Sequence, residues 1–198
     1  MRRYPKAIEF ELKYSAEAAA QEAIMAANPG DYHTYEMETT YYDTANGALS
    51  DRHVTLRRRM ENARSVCTVK TPVSGYGRGE WECDSQDIHA AIDLLVGLGA
   101  PRELLLLTAE GVVPVCGAKF TRQALTVFHE GAELELALDR GILIGGGREV
   151  PLCEVEVELK SGAPEAAMAF ADALAKKFGL HRESKSKFRR ALALAKGE

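Results

Sequence analysis

Several features that would place this chain in a common functional class are missing from its sequence. Its 198 residues hold 25 Lys and Arg against 29 Asp and Glu, a formal net charge of -4, so no basic excess is available for general nucleic-acid binding. The four cysteines contain no Cys-x-x-Cys pair and the histidines have no metal-ligand spacing, which argues against a zinc site. The chain also lacks a Gly-x-x-x-x-Gly-Lys loop, so any phosphate would have to be bound by side chains.

Secretory and membrane-spanning segments are missing as well. Met1 and two arginines are followed by Tyr-Pro-Lys instead of an apolar stretch, and no later run reaches the length of a membrane span. We therefore expect a soluble, cytoplasmic protein with reduced cysteines and no membrane partner. A composition of 46% apolar and 27% charged residues predicts one globular domain over residues 1–198.

The apolar and polar patterns predict an α+β chain with strands grouped on both sides of a helical region. Strands are predicted over residues 7–14, 39–44, 54–60, 65–71, 77–83, 115–128, 132–139 and 150–160. Helices are predicted over residues 16–27, 86–98, 101–107, 164–178 and 184–195. Ser15 is the predicted N-cap of the first helix, and the glycines at 145–147 predict a hairpin turn.

The polar faces of these strands repeat Glu, Arg, Lys and Asp, whereas their opposite faces are apolar and suit a cover of Ala-rich helices. Arg57 and Arg59 share one such face, and Glu154, Glu156 and Glu158 share another. Two arrangements fit: an open sheet with a solvated charged face, or a closed barrel with a charged, wet interior. Inside a barrel, bound metal and a bound polyanion would neutralise this mixture of charges.

The residue types suit a divalent cation and a triphosphate. Mg²⁺ and Mn²⁺ take oxygen ligands, which the pairs Glu9/Glu11 and Glu154/Glu156 supply. Phosphates need cationic partners, for which the candidates are Lys13, Arg57, Arg59, Lys70, Arg122 and Lys185. Each motif taken alone also fits a plainer role, such as a solvated strand, an exposed basic ribbon or a charged edge strand.

Taken together and in order, the motifs resemble those of the CYTH, or triphosphate tunnel metalloenzyme, superfamily over nearly the whole chain. They are Ile-Glu-Phe-Glu-Leu-Lys at 8–13, Tyr-Tyr-Asp-Thr at 41–44, Val-Thr-Leu-Arg-Arg-Arg at 54–59, Val-Lys-Thr at 69–71, Phe-Thr-Arg at 120–122, the acidic stretches 133–141 and 154–162, and Ser-Lys-Ser-Lys-Phe at 184–188. The resemblance implies a closed eight-stranded antiparallel β-barrel, a triphosphate tunnel with a charged lumen and flanking helices.

The resemblance also implies a role for each candidate residue. The triphosphate would be bound by Lys13, Arg57, Arg59, Lys70, Arg122 and Lys185. Mg²⁺ or Mn²⁺ would be bound by Glu9, Glu11, Asp139, Glu154 and Glu156, with Glu9, Glu11 and Lys13 as catalytic residues. Lys187 lies close enough to Lys185 in the sequence to take its place.

The implied activity is metal-dependent hydrolysis of inorganic triphosphate to diphosphate and phosphate, as in bacterial inorganic triphosphatases. A thiamine triphosphatase, a class IV-type adenylate cyclase and a non-catalytic polyphosphate- or nucleotide-binding module are the alternatives. Beyond Trp81, Tyr41 and Tyr42 the charged strands offer no clear aromatic cluster for a base, which favours the inorganic substrate.

The expected partner is a small triphosphate. The sequence does not decide whether the chain also forms a homodimer. Relatives of the inorganic triphosphatase type often carry a second, histidine-rich helical domain, and the sequence ends at Glu198 without one. The sequence also does not decide whether a partner protein takes the place of that domain.

Overall fold

The computed structural model describes residues 7–72 and 78–198, with side chains from residue 10 onward in the first segment. The strands are β1 (Ala7–Glu9), β2 (Glu11–Ser15), β3 (His33–Asp43), β4 (Thr55–Glu61), β5 (Arg64–Pro72), β6 (Arg78–Asp84), β7 (Val113–His129), β8 (Ala132–Gly145), β9 (Arg148–Ser161) and β10 (His181–Arg182). The helices are α1 (Ala18–Ala27), α2 (Ala48–Asp51), α3 (Ile88–Gly97), α4 (Glu103–Leu107), α5 (Pro164–Phe178) and α6 (Lys187–Lys196).

The strands form one antiparallel sheet in the order β1-β6-β5-β4-β3-β7-β8-β9-β2-β10. This corrects the predicted closed eight-stranded barrel: the strands that can be described number ten, and none of their pairings joins the end strands β1 and β10. The count differs because the first predicted strand is divided at Phe10 into a part that pairs with β6 and a part that pairs with β9. A short β10 is then added beside β2. One short stretch of chain thus connects two strands far apart in the sheet order.

The outer face of the sheet is apolar, as the alternation predicts, and helices cover it in two places. The helices α1 and α5 pack on β2, β8 and β9 through side chains such as Ile24, Leu136 and Val157. The helices α3 and α4 pack on β4 to β6 around Leu56 and Leu95. Removal of this apolar surface from water, at about 25 cal/mol per Å², favours the helices on this side of the sheet. Among the described helices, none has the length and apolar character needed to cross a membrane.

The last helix, α6, packs against the opposite, inner face. Its Ala191 is fully buried in a cluster with Met37, Phe120, Leu143 and Leu152. These side chains share strand faces with charged residues, so they form an apolar end to an otherwise polar face. The helix begins at Lys187, because the Ser186 side chain accepts a hydrogen bond from the Arg189 amide at 3.2 Å and so caps it.

Some strand bounds differ from the prediction. β3 begins at His33 instead of residue 39, because residues 33–38 continue the ladder with β7. β8 continues past Asp139 to Gly145, and Gly141 makes this possible because a Cβ there would lie 2.1 Å from the carbonyl oxygen of Lys119. Strand length is thus set by tertiary pairing more than by local alternation.

Two smaller predictions can also be compared with the structure. Ser15 is not the N-cap of the first helix: it lies in β2, and Glu17 stands at the cap position of α1. Of the predicted strand 77–83, Gly77 lies outside the described residues.

The hairpin predicted at the glycines 145–147 is confirmed, and it also supports α6. Gly146 and Gly147 have φ of 58° and 73°, which suits a tight hairpin turn. A Cβ on Gly145 would lie 2.3 Å from the carbonyl oxygen of Ala191 and 2.7 Å from the amide nitrogen of Ala195. The backbone of α6 therefore approaches the sheet at a position that only glycine leaves open.

Replacing Gly145 with alanine is expected to displace α6 and to destabilise the protein by about 1–3 kcal/mol, the usual cost of overpacking. Thermal unfolding of Gly145→Ala measures this effect. Gly97→Ala is the matched control, because a Cβ at Gly97 meets nothing within 4 Å. Equal melting temperatures for the two variants would show that α6 adapts without cost.

Candidate active site

The inner face of the sheet encloses a cavity of about 1130 Å³. Strands β2 to β9 and the first turn of α6 contribute to its wall. Its lining includes Glu11, Lys13, Thr55, Arg57, Arg59, Lys70, Arg78, Glu80, Glu82, Arg122, Glu135, Glu156, Glu158, Lys160 and Lys187. The charged faces identified in the sequence therefore converge on one cavity.

Three carboxylates meet at one side of this cavity. Asp139 on β8 lies directly opposite Glu154 on β9, and Glu156 follows two residues later on the same face. One carboxylate oxygen from each residue lies within 4.8 Å of the others. Asp139 and Glu154 are fully buried, and Glu156 is 6% exposed. Strand pairing thus brings Asp139 beside two predicted metal ligands on the neighbouring strand.

Lys187 lies at the centre of this carboxylate cluster. Its Nζ is 2.8 Å from Oδ2 of Asp139 and 2.6 Å from Oε1 of Glu156, and it also contacts Glu154. The ammonium group therefore occupies the space between the three carboxylates. Lys185, the residue predicted for phosphate binding, is exposed and lies outside the described lining of the cavity. The structure accordingly places Lys187, not Lys185, in the site.

Two arginines complete the neutralisation of the cluster. Arg122 on β7 donates to both oxygens of Asp139 at 2.7 Å, in the planar two-bond geometry typical of guanidinium and carboxylate, and also contacts Glu156. Arg190, one turn after Lys187 on α6, contacts Glu154. Three cations therefore balance three anions, as burial of this many charges requires.

The buried network shifts the pKa of its members in different directions. Burial alone would lower the pKa of Lys187 and of Arg122, but the adjacent carboxylates outweigh it and raise both well above their usual values. Burial would likewise raise the pKa of Glu156, but Lys187 and Arg122 hold it well below the usual range. For Glu154, burial prevails over Lys187 and raises the pKa. Glu156 therefore stays ionised at neutral pH.

Basic residues on β4 and β5 form another part of the wall. Arg57 lies opposite Thr68, and Thr55 lies opposite Lys70, so these side chains share one face. Burial, followed by the charge of the neighbouring Arg57, lowers the pKa of Arg59. Two close buried guanidinium groups repel each other, and a bound polyanion would relieve that repulsion.

The acidic partners of this wall lie at different distances. Nε of Arg59 donates to Oε1 of Glu61 at 2.8 Å, whereas Glu80 is 3.6 Å from Arg57 and 3.4 Å from Lys70. Arg78 donates to main-chain oxygens, at 2.7 Å for His53 and 3.1 Å for Lys70, and so fixes the neighbouring strands. Arg57 and Lys70 are thus cations of the wall that phosphate oxygens can approach from the cavity.

Lys13 and Glu11 extend the site along β2. The Lys13 Nζ is 3.2 Å from Oε1 of Glu11, and Lys13 lies opposite Glu156 in the ladder with β9. Burial opposes the charge on Lys13, but Glu11 and Glu156 raise its pKa above the usual value. The side chain of Glu9, predicted as a metal and catalytic residue, lies outside the described part of the chain; its backbone pairs with Arg78.

Some residues of the site were not among the predicted candidates. Arg190 could have been identified from its spacing of three from Lys187, which places both on one helix face. Glu158 and Lys160 follow the predicted ligands on the same face of β9, and their side chains are 2.8 Å apart. Glu135 adds a further contact to Lys160 at 3.6 Å. The alternation of polar and apolar residues that predicted the candidates therefore also places Glu135, Glu158 and Lys160 on the same strand faces.

The donor set at the carboxylate cluster fits a hard divalent cation. Mg²⁺ and Mn²⁺ prefer carboxylate oxygens, and here three carboxylates converge in a buried position. Lys187 and Arg122 line the cavity, and Asp139 and Glu154 lie behind them. A divalent ion held by the three carboxylates would therefore compete with the Lys187 ammonium group for their oxygens.

Solved structures of known proteins share this architecture. HpAC1 from Hippeastrum, described as an adenylyl cyclase candidate with a dominant triphosphatase activity, superposes with a TM-score of 0.62 and 21% identity, over 96% of this chain and 97% of that one. The Bacillus halodurans protein bh2851, described as an adenylate cyclase candidate, gives a TM-score of 0.63 and 17% identity, over 94% and 98% of the two chains. At these identities the similarity establishes the fold.

The sequence comparison defines the family. The CYTH domain model matches residues 7–192, and the chain belongs to that family. The inorganic triphosphatase of Haemophilus influenzae is 30% identical over 160 residues, which cover 78% of this chain and 45% of that protein. This chain therefore matches somewhat less than half the length of that relative.

Proposed function

We propose that this chain binds inorganic triphosphate together with Mg²⁺ or Mn²⁺ in the cavity and hydrolyses it to diphosphate and phosphate. The observation that carries the proposal is the placement of three buried carboxylates and a basic wall of Arg57, Arg59 and Lys70 around one cavity. A plain phosphate-binding site would gain nothing from buried carboxylates, since they repel a polyanion. Membership of the CYTH family and the triphosphatase relative support the same activity.

We also propose that the N-terminal stretch forms part of the wall around the triphosphate. β1 pairs with β6 and β2 pairs with β9, and Phe10 between them accepts a hydrogen bond from the Leu159 amide at 2.9 Å. Protein on this side limits the access of bulk water and so strengthens the electrostatic interactions between the side chains and the triphosphate.

Metal would be bound by Asp139, Glu154 and Glu156, with Glu9 and Glu11 as the further proposed ligands. When bound, a divalent ion neutralises phosphate charge and activates water for attack. With the carboxylates engaged by an ion, Lys187 would be available to donate to phosphate oxygens. The bound anion would then supply the negative charge that the ammonium group needs.

The basic side chains bind the triphosphate and stabilise the leaving group. Water attacks the terminal phosphorus, its bond to the bridging oxygen breaks, and diphosphate leaves with the electron pair. Arg59, Arg122 and Lys13 lie where they can bind bridging and terminal oxygens as charge accumulates there. Of the proposed catalytic carboxylates, Glu11 lines the cavity and can orient the water and accept its proton.

The aromatic residues favour an inorganic substrate over a nucleotide. Phe120 lies 5.9 Å from the guanidinium of Arg122 and 5.3 Å from the ammonium of Lys187, so its ring supports cations. Tyr41 packs on Phe188 with ring centroids 5.1 Å apart. Trp81 is buried in the outer apolar cluster. Tyr41, Phe120 and Trp81 also line the cavity, but these contacts hold them in place, and the charged side chains beside them suit phosphates.

A comparison of substrates tests the proposal. Initial rates with inorganic triphosphate, ATP and thiamine triphosphate are expected to give the highest kcat/KM for inorganic triphosphate. A higher value for ATP with cyclic AMP as product, or for thiamine triphosphate, would assign the same cavity to one of those reactions. Binding of all three without turnover would identify a binding module.

A further inference from the structure

Gln21 is a buried polar residue on the side of the sheet opposite the cavity. It lies in α1, is 2% exposed, and shares that helix with the apolar, fully buried Ile24. Its Nε2 donates to the main-chain oxygens of Asp139 at 3.0 Å and Glu154 at 2.8 Å. One amide group thus spans two adjacent strands at the positions whose side chains form the carboxylate cluster.

The other end of the same amide is also bonded. Oε1 of Gln21 accepts a hydrogen bond from Nε of Arg140 at 3.1 Å, and Arg140 also donates to the Ala18 carbonyl oxygen of α1 at 3.1 Å. Because Arg140 can only donate, this contact fixes which end of the amide is oxygen and directs the NH₂ group at the two carbonyl oxygens. Gln21 therefore has one defined orientation.

An apolar side chain would satisfy packing at this position without the cost of burying an amide. The amide instead joins the backbones of Asp139 and Glu154, whose Cα atoms pair directly across β8 and β9. A shift between these strands changes the separation of their side chains, since each carboxylate is connected to the backbone by only a short side chain. The hydrogen bonds of Gln21 oppose such a shift from outside the cavity.

We propose that Gln21 is a positioning residue that sets the spacing of the Asp139 and Glu154 carboxylates, and thereby the affinity of the site for a divalent cation. This inference rests on the proposed function, in which these carboxylates bind Mg²⁺ or Mn²⁺. Gln21 touches neither the cavity nor the phosphates, so its effect passes through the main chain of the ligands.

The test is Mn²⁺ binding to Gln21→Met, measured by electron paramagnetic resonance of free Mn²⁺. Methionine keeps the length of the side chain and removes both donations. Loss of a group that orients metal ligands typically weakens affinity by about tenfold or more, and we expect a change of that size in the Mn²⁺ Kd. The rate kcat should fall in parallel, whereas triphosphate binding in chelator should be unchanged.

Arg140→Met is the matched control, because it removes the partner of Oε1, whereas the two carbonyl oxygens can only accept and by themselves keep the NH₂ group of Gln21 in place. Its Mn²⁺ Kd should stay within twofold of the unaltered protein. Gln21→Leu provides a second variant lacking both donations, and unfolding curves in chelator identify which variants fold.

The results distinguish the positioning role of Gln21 from the proposed metal-dependent function on which it rests. Weakened Mn²⁺ binding by a folded Gln21 variant supports the positioning role. A folded variant with a lower melting temperature but unchanged Mn²⁺ Kd and kcat would reduce Gln21 to a structural residue and overturn the inference. Failure of the unaltered protein to bind Mn²⁺ would overturn the proposed metal site and the inference with it.

Discussion

Lys187→Met should lower the rate of triphosphate hydrolysis by about 100-fold or more, the effect typical of losing a charged donor in a preorganised site. The variant should also be destabilised by about 3 kcal/mol in chelator, because Asp139, Glu154 and Glu156 lose the ammonium group they surround. Steady-state kinetics and denaturant unfolding measure the two effects.

The same variant should respond more strongly to metal than the unaltered protein does. With Lys187 removed, a divalent ion can enter between the three carboxylates without displacing a cation, so Mn²⁺ should raise the melting temperature of Lys187→Met by a larger amount. A smaller rise would show that the ammonium group and the ion do not compete for one position.

Lys185→Met is the control for this experiment. Lys185 is exposed and lies two residues before Lys187, so the two variants carry the same substitution on the same segment. We expect activity and stability within error of the unaltered protein. A loss of activity in Lys185→Met that matches the loss in Lys187→Met would contradict the placement of Lys187 as the lysine of the site.

Glu156→Gln should abolish turnover while triphosphate affinity stays similar or becomes tighter. Glu156 contacts both Lys187 and Arg122, and it carries one negative charge within the cavity. Its replacement removes a proposed metal ligand and at the same time lets the two cations interact more strongly with a polyanion. Binding measured by calorimetry and turnover measured by phosphate release should therefore change independently.

Glu149→Gln provides the matched change on the same strand, because Glu149 lies on β9 but is exposed. It should leave both quantities unaltered. If Glu156→Gln lost affinity and turnover in equal proportion, Glu156 would act mainly in holding the fold of the site, and the division between metal ligands and phosphate ligands would be wrong.

The alternation of residues in the strands was enough to predict a sheet with flanking helices, and the resemblance of the motifs on those strands predicted the family. It worked because the apolar sides of the Ala-rich helices need an apolar partner, which only the outer faces of these strands offer over their whole length. The same alternation identified Arg57, Lys70 and Glu156, which the structure brings to one cavity. The roles of these residues in binding and catalysis stay predictions.

Other features depend on tertiary contacts that alternation does not encode. The division of the first strand at Phe10 arises because its two parts pair with different strands, β6 and β9. The position of α6 depends on the close approach of its backbone to Gly145. A helix at the end of the chain could have covered either face of the sheet, so spacing alone could not decide between Lys185 and Lys187.

The sequence likewise could not predict which charged side chains lie next to each other. Asp139 and Glu154 are neighbours only because β8 and β9 align in one register, and a slip of one residue would turn each side chain to the other face. The cations that neutralise them come from β7 and α6, which are distant in sequence. The local sequence pattern predicted which types of residue line the site. The register of the strands determines which of these side chains contact each other.

The central claim is tested most directly by following inorganic triphosphate with ³¹P nuclear magnetic resonance in the presence of the unaltered protein. With Mg²⁺ or Mn²⁺ we predict that the triphosphate signals are replaced by equal amounts of diphosphate and phosphate, and that chelator stops the conversion. Triphosphate that stays intact in every metal condition, while its signals broaden through binding, would contradict hydrolysis and leave the cavity as a binding site alone.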